Sequence, residues 1–178
     1  MLGRVCRDRI PQFLLRIPRN FIAQLARTSQ IDTEDERKME HPKVRTNYWA
    51  IVVAAISCFM LEALWYSVFL HAWLGGIGRS PQWLANSGVS LYLQSATALI
   101  SEAIIATAIS TVTQLTGPLT PLRGMKVAAL LWLSIVFTTL ATEYIFEVRS
   151  FQLLGINSGF WLLGMTMTGA IVGTWKKK

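Results

Sequence analysis

NYWAIVVAAISCFMLEALWYSVFL, residues 47–70, is an apolar run interrupted by a single charge, Glu62. About 20 such residues are what a helix needs to cross a hydrocarbon core roughly 30 Å thick. Tyr48 and Trp49 open the run, and Trp65, Tyr66 and Trp73 lie toward its other end, a placement common for aromatics at the headgroup level. Three more runs of comparable length follow, at about 91–115, 125–146 and 151–175. The first of these is dense in small residues, among them Ala98, Ser101, Ala103 and Ala106, which predicts a tightly packed inner helix.

The connections are read from their breakers. Residues 71–88, with Gly75, Gly76, Gly78 and Pro81, read as an interfacial loop holding one short helix capped by Ser80 and started by Pro81. Gly117, Pro118 and Pro121 predict a turn that continues through Arg123 and Gly124. Glu147–Ser150 is a turn too short for anything but an antiparallel neighbour.

Of the 178 residues, 52% are hydrophobic and 15% charged, and the charges crowd into the first 46 positions and the last three. This is a membrane composition. Although the formal charge is +7, the basic residues stand at helix ends rather than on a folded surface interleaved with stacking aromatics, so nucleic acid is not an expected partner. Cys6 and Cys58 supply neither a disulfide framework nor a metal motif, and His41 and His71 have no second ligand at metal spacing. No metal, no cofactor and no catalytic residue is expected, and the phosphate-loop and zinc-enzyme signatures are missing. Fifteen of the 17 basic residues fall in the N-terminal segment, the 117–126 turn and the C-terminus, with only Arg79 and Arg149 in the other two loops. The positive-inside rule then puts both termini in the cytoplasm. The expected fold is an all-α, polytopic bundle of four transmembrane helices, at residues 47–175, in the plasma membrane.

Residues 1–46 form a separate basic and charged segment, and 176–178 a lysine tail. The first part of the segment is Arg-rich and acid-poor, which suits an amphipathic surface helix broken by Pro11 and Pro18, or an import presequence. Met39, directly before a short basic flank and the first span, is an alternative start.

Leu61-x-x-Leu64-Trp65-Tyr66-Ser67, followed by Phe69 and Trp73, resembles the opening of the bacterial membrane family called domain of unknown function 1761. Phe146-Glu147-x-Arg149-Ser150, then Ile156-Asn157-x-Gly159 and Gly169-Ala170-Ile171, closing on Trp175, is similar to that family's last turn and helix. The resemblance covers about 47–175 and implies a four-helix membrane protein without an established activity. This chain departs from it at Glu62, where a small residue is expected, and at Val68, where proline is expected.

Ionisable groups inside a bilayer cost about 2.5–3.5 kcal/mol on insertion scales, and Glu62 and Glu102 are the two that matter. Counting about 1.5 Å of rise per residue along antiparallel helices puts them within about 3 Å of one depth. Two carboxyls in a low dielectric cannot both stay ionised without a cation, so such a pair shares or holds a proton. Tyr66, Glu143 and Asn157 complete the candidate proton- or ligand-binding set, with Gln94, Glu143 and Asn157 suggesting a polar cavity that opens away from the cytoplasm. Pairing of the carboxyls with Ser101, Thr97 or Tyr66 to knit the bundle is the competing reading. Gly155, Gly159, Gly169 and Gly173 mark a helix-packing face, either inside the bundle or between two copies. The lipid bilayer is the expected partner, with a homodimer where that face is a seam; the ligand is not indicated. Function divides between a binding or structural membrane component and a proton-coupled small-solute transporter working as a homodimer.

Overall fold

The structure, a computed structural model, describes residues 44–175 together with Gln24. The readings of a surface helix, a presequence and a lysine tail lie outside the described residues. Every regular element among the described residues is a helix: α1 (Tyr48–Val68), α2 (Leu70–Gly76), α3 (Pro81–Ala85), α4 (Leu91–Leu115), α5 (Pro121–Phe146) and α6 (Phe151–Thr174). Of these, α1, α4 and α5 are long and apolar enough to cross a membrane. Helix α6 has 24 residues and no Asp, Glu, Lys or Arg, yet its five glycines, its threonines and Gln152, Asn157 and Ser158 dilute its apolar content. Its position accounts for this. It packs on α1, α4 and α5 alike, and ten of its residues are buried against five in α1, so it has little face left for an apolar solvent.

The helix starts follow local chemistry. Asn47 Oδ1, Ser80 Oγ, Thr120 Oγ1 and Ser150 Oγ accept from the backbone N–H groups of Ala50, Trp83, Arg123 and Leu153 at 3.2–3.4 Å, satisfying donors that a first turn leaves open. Pro81 and Pro121 occupy the first helical positions, where a missing N–H costs nothing. The expected turn through Arg123 and Gly124 is therefore corrected: both belong to the first turn of α5. At the turn before it, Gly117 has φ +139°, and a Cβ there would overlap the Arg123 guanidinium that donates to Thr116 O.

Residues 71–76, read as the start of a loop, are also helical. Phe69 leaves helical geometry, but its N–H still donates to Trp65 O (3.0 Å) and its carbonyl accepts from Trp73 N (2.8 Å), so α2 continues α1 after a bend. Ser67 Oγ donates to Ala63 O at 2.6 Å just before that bend, a back-bond that bends helices and here stands where proline was expected one residue on. Leu74 of α2 is buried, and Gly76 lets the Leu153 side chain approach.

Two further backbone features matter. Helix α5 passes through a π-helical stretch at Trp132–Phe137. The turn after it puts Val148 at φ +54°, closed by Arg149 N–H to Tyr144 O (2.9 Å) and Val148 N–H to Ile145 O (3.2 Å). A β-branched residue in the left-handed region costs about 1–2 kcal/mol.

One half of the bundle is dry. Ile51, Ala54, Ala106, Ile109, Ala128, Met165 and Val172 form a core of apolar side chains from all four long helices. The backbones of α5 and α6 touch there: a Cβ on Gly124 would sit 1.9 Å from Gly169 O, and one on Gly169 would sit 2.3 Å from Gly124 O. Gly173 meets Thr120 in the same way. Gly124 is the tightest of these contacts, and the spacing of glycines on α6 alone does not reveal it.

Candidate functional site

Glu62 on α1 and Glu102 on α4 line one cavity of about 480 Å³. They meet because α1 and α4 run antiparallel in contact, which turns equal depth into proximity. Gln94, Thr97 and Ser101, at helical spacing on α4, continue the lining away from the carboxyls toward Val89. Trp161 of α6 forms another wall. Along α4 the lining stays exposed from Val89 (51%) through Leu93 (61%), Gln94 and Thr97, and becomes buried only at Glu102 (2%), so the groove is open along most of its length and ends at the buried acid. Beyond that acid lies the dry core, which begins on α4 at Ala106.

Behind Glu102, the Cys58 thiol faces its carboxyl and also neighbours the Thr168 hydroxyl. Gly164 makes room for the sulfur, since a Cβ there would stand 2.8 Å from it. The Thr168 hydroxyl is buried with no hydrogen-bond partner. Other threonines in the helices, such as Thr97, Thr107 and Thr113, bond back to a carbonyl at 2.6–2.8 Å. No group of three His, Cys, Asp or Glu side chains suited to a metal ion occurs among the described residues.

Tyr66, one turn from Glu62, does not bond to either carboxyl. Its hydroxyl donates to Asn157 Oδ1 (2.9 Å), and Asn157 Nδ2 donates to the Tyr144 hydroxyl (2.5 Å), a chain that ties α1, α6 and α5 together. Trp65 Nε1 donates to Ile156 O (3.1 Å) and Trp132 Nε1 to Ser158 O (2.9 Å). Three consecutive residues of α6 thus receive contacts from two neighbouring helices. Trp65 and Tyr66, expected at the headgroup level, are both half-buried with their polar atoms turned to α6, so their side chains serve a contact between helices. Gly159 lets the Trp65 ring lie against α6, where a Cβ would be 3.3 Å from it, and Phe160 stacks near Tyr66 at 5.6 Å.

The remaining candidates separate from the cavity. Glu143 sits on an exposed face of α5 beside Thr138, Thr139 and Thr142, away from Glu62 and Glu102. Of Gln94, Glu143 and Asn157, only Gln94 lines the carboxylate groove. Glu147 and Arg149 form an ion pair at the turn, with the Arg149 guanidinium 5.2 Å from the Tyr144 ring centroid. Gly155 has open space where a Cβ would go, so no close packing requires its glycine. Sequence reasoning missed Cys58, Thr168 and Trp161 as neighbours of the acids. Their positions on α1 and α6 carry no motif, and only the packing of those helices brings them together.

Comparison with curated proteins and with solved structures gives no match. A family model does match, over residues 49–173, a span that holds the aromatic and Asn157 contacts, the turn ion pair and the close-packed glycines. By that match the chain belongs to the family described as "Protein of unknown function (DUF1761)".

Proposed function

We propose that the protein is a four-span integral membrane protein of the plasma membrane, with both termini cytoplasmic, that binds protons or a small cation at Glu62 and Glu102. The observation that carries this reading is the shared cavity, which carboxyls from two adjacent helices line with no basic side chain among the lining residues. In a low-dielectric surrounding such a pair holds a proton or exchanges it for a cation. The fourth span, α6, draws support from its length of about 36 Å at the usual helical rise and from its enclosure by the other three.

A carrier coupled to protons, working as a homodimer, is the second reading. What favours it is that the exposed groove stops at the buried Glu102, with the dry core past it, an arrangement compatible with one state of an alternating-access cycle. A static binding component has no need for the core to open.

Glu62→Gln and Glu102→Gln variants of the full chain test the site. Abundance and thermal stability are expected to stay near wild type while pH-linked cation binding is lost. A collapse in abundance with either variant makes the pair structural and defeats the proposal. Cysteine labelling from outside intact cells, with single cysteines at Ser87, Thr116 and Ser150 in a Cys-free background, tests topology. Reaction at 87 and 150 but not at 116 is expected.

A further inference from the structure

We infer that the groove seats a small organic ammonium ion with an apolar arm, its cationic head lying between the carboxyls of Glu62 and Glu102 and the face of Trp161. This rests on the reading of the carboxyl pair as a proton- or cation-binding site, and it names the class of ligand.

The charge comes first. No Lys or Arg lines the groove, and the groups behind Glu102 are a neutral thiol and a neutral hydroxyl, so the site contains no built-in cation. An anion would meet two carboxyls with no compensation. The Thr168 hydroxyl, 1% exposed and beside the Cys58 thiol, is likewise a neutral group and brings no positive charge near Glu102.

Size and surface come next. A cavity of about 480 Å³ is far larger than a bare inorganic ion and falls in the range of small-molecule sites. The donor set for a metal is also missing among the described residues. Val89, Leu93 and Ala98 give the open part of the groove an apolar wall, suited to a hydrocarbon arm. Trp161 is the aromatic whose ring face attracts a cation most strongly, and it lines the same groove as the acids.

Charge balance sets the proton count. Before binding, the pair is neutral when both carboxyls hold protons; one monovalent ammonium replaces one of them, and the other carboxyl keeps its own. Each binding event therefore releases about one proton to solvent. The titratable groups facing the pair are Cys58 and Tyr66 of α1.

The test uses the full chain in lipid nanodiscs with benzyltrimethylammonium as probe and neopentylbenzene as its uncharged isostere. Calorimetry in buffers of different ionisation enthalpy counts released protons, and infrared difference spectra after a pH step follow the carboxyl stretch. Expected are binding of the cation with about one proton released, no comparable binding of the isostere, a roughly tenfold loss in Trp161→Leu and less than about threefold in Trp161→Phe. The carboxyl signal is expected to persist in Trp161→Leu and to vanish in the Glu62→Gln, Glu102→Gln double variant. If the carboxyls titrate but wild-type protein binds the isostere as well as the cation, or binds neither, the ammonium inference is overturned while the carboxyl reading stands. If no carboxyl signal responds to pH, both fall.

Discussion

The two halves of the bundle solve the problem of packing four helices in opposite ways. In the half that holds Ile51, Ile109, Gly124 and Gly169, contact is made by small or apolar residues until the backbones of α5 and α6 touch. In the half that holds Tyr66, Asn157 and Glu62, contact is made by hydrogen bonds to α6, and beside them α1 and α4 leave a groove walled by Trp161. Polar groups that are satisfied by a neighbour hold the structure, whereas the two carboxyls line open space. The residues that carry the resemblance to the family fall mainly among the former. The set of Trp65, Tyr66, Asn157 and Gly159 is therefore a fastening, and the groove chemistry lies beside it.

The largest effect is expected in the dry half. Gly169→Leu drives a side chain into the Gly124 carbonyl, and no rotamer relieves a clash that begins at Cβ. Destabilisation of about 3 kcal/mol or more is expected, beyond ordinary overpacking because backbone must move, read as failure to accumulate in the membrane fraction. Normal accumulation would show that the α5–α6 contact is not what closes this half.

Asn157→Ala comes next, since it strips both Tyr66 and Tyr144 of a partner at one stroke. The expected loss is about 1–3 kcal/mol, measured by thermal unfolding in detergent, with Tyr66→Phe costing about 0.6–1.7 kcal/mol. If Asn157→Ala instead left stability intact and impaired solute binding, the fastening would have to be reassigned to the site.

Val148→Gly is expected to stabilise by about 1 kcal/mol, because glycine adopts the left-handed conformation without the penalty of a β-branched side chain. The smallest change is expected from Thr168→Val. Replacing an unpartnered buried hydroxyl by a methyl of the same shape should leave stability unchanged or raise it by up to about 1 kcal/mol. A marked loss would mean that this hydroxyl has a partner in the working protein.

Much of the fold was legible because apolar run length and helical rise are local quantities. The runs around Glu62 and Glu102 announced α1 and α4, and counting residues along antiparallel helices was enough to bring the two acids to one level. What failed was wherever a breaker residue has two uses. Pro121 and Gly124 suggested a turn, yet proline also starts helices and glycine also admits a neighbouring backbone. Gly75 and Gly76 suggested loop, yet α2 carries the helical hydrogen bonding past Phe69. The direction of an aromatic is a third case, since Trp65 and Tyr66 suit an interface by composition and an interior contact by orientation. Only the partner on α6 distinguishes these, and no residue near Trp65 in the chain encodes it.

The π-helical stretch in α5 has a consequence for how the two halves are phased. Ala128 and Tyr144 are both buried, and both belong to the side of α5 that meets α6. On an ideal helix turning about 100° per residue, positions sixteen apart would point about 160° away from each other. The wider turns at Trp132–Phe137 take up part of that mismatch, so the segment acts as a clutch between a small-residue seam at one end and a tyrosine contact at the other. Regular winding through the same sixteen positions would rotate Tyr144 off Asn157 and uncouple the halves, whereas loss of one residue from the stretch would leave Ala128 and Tyr144 fifteen apart, about 60° from each other, and keep both contacts.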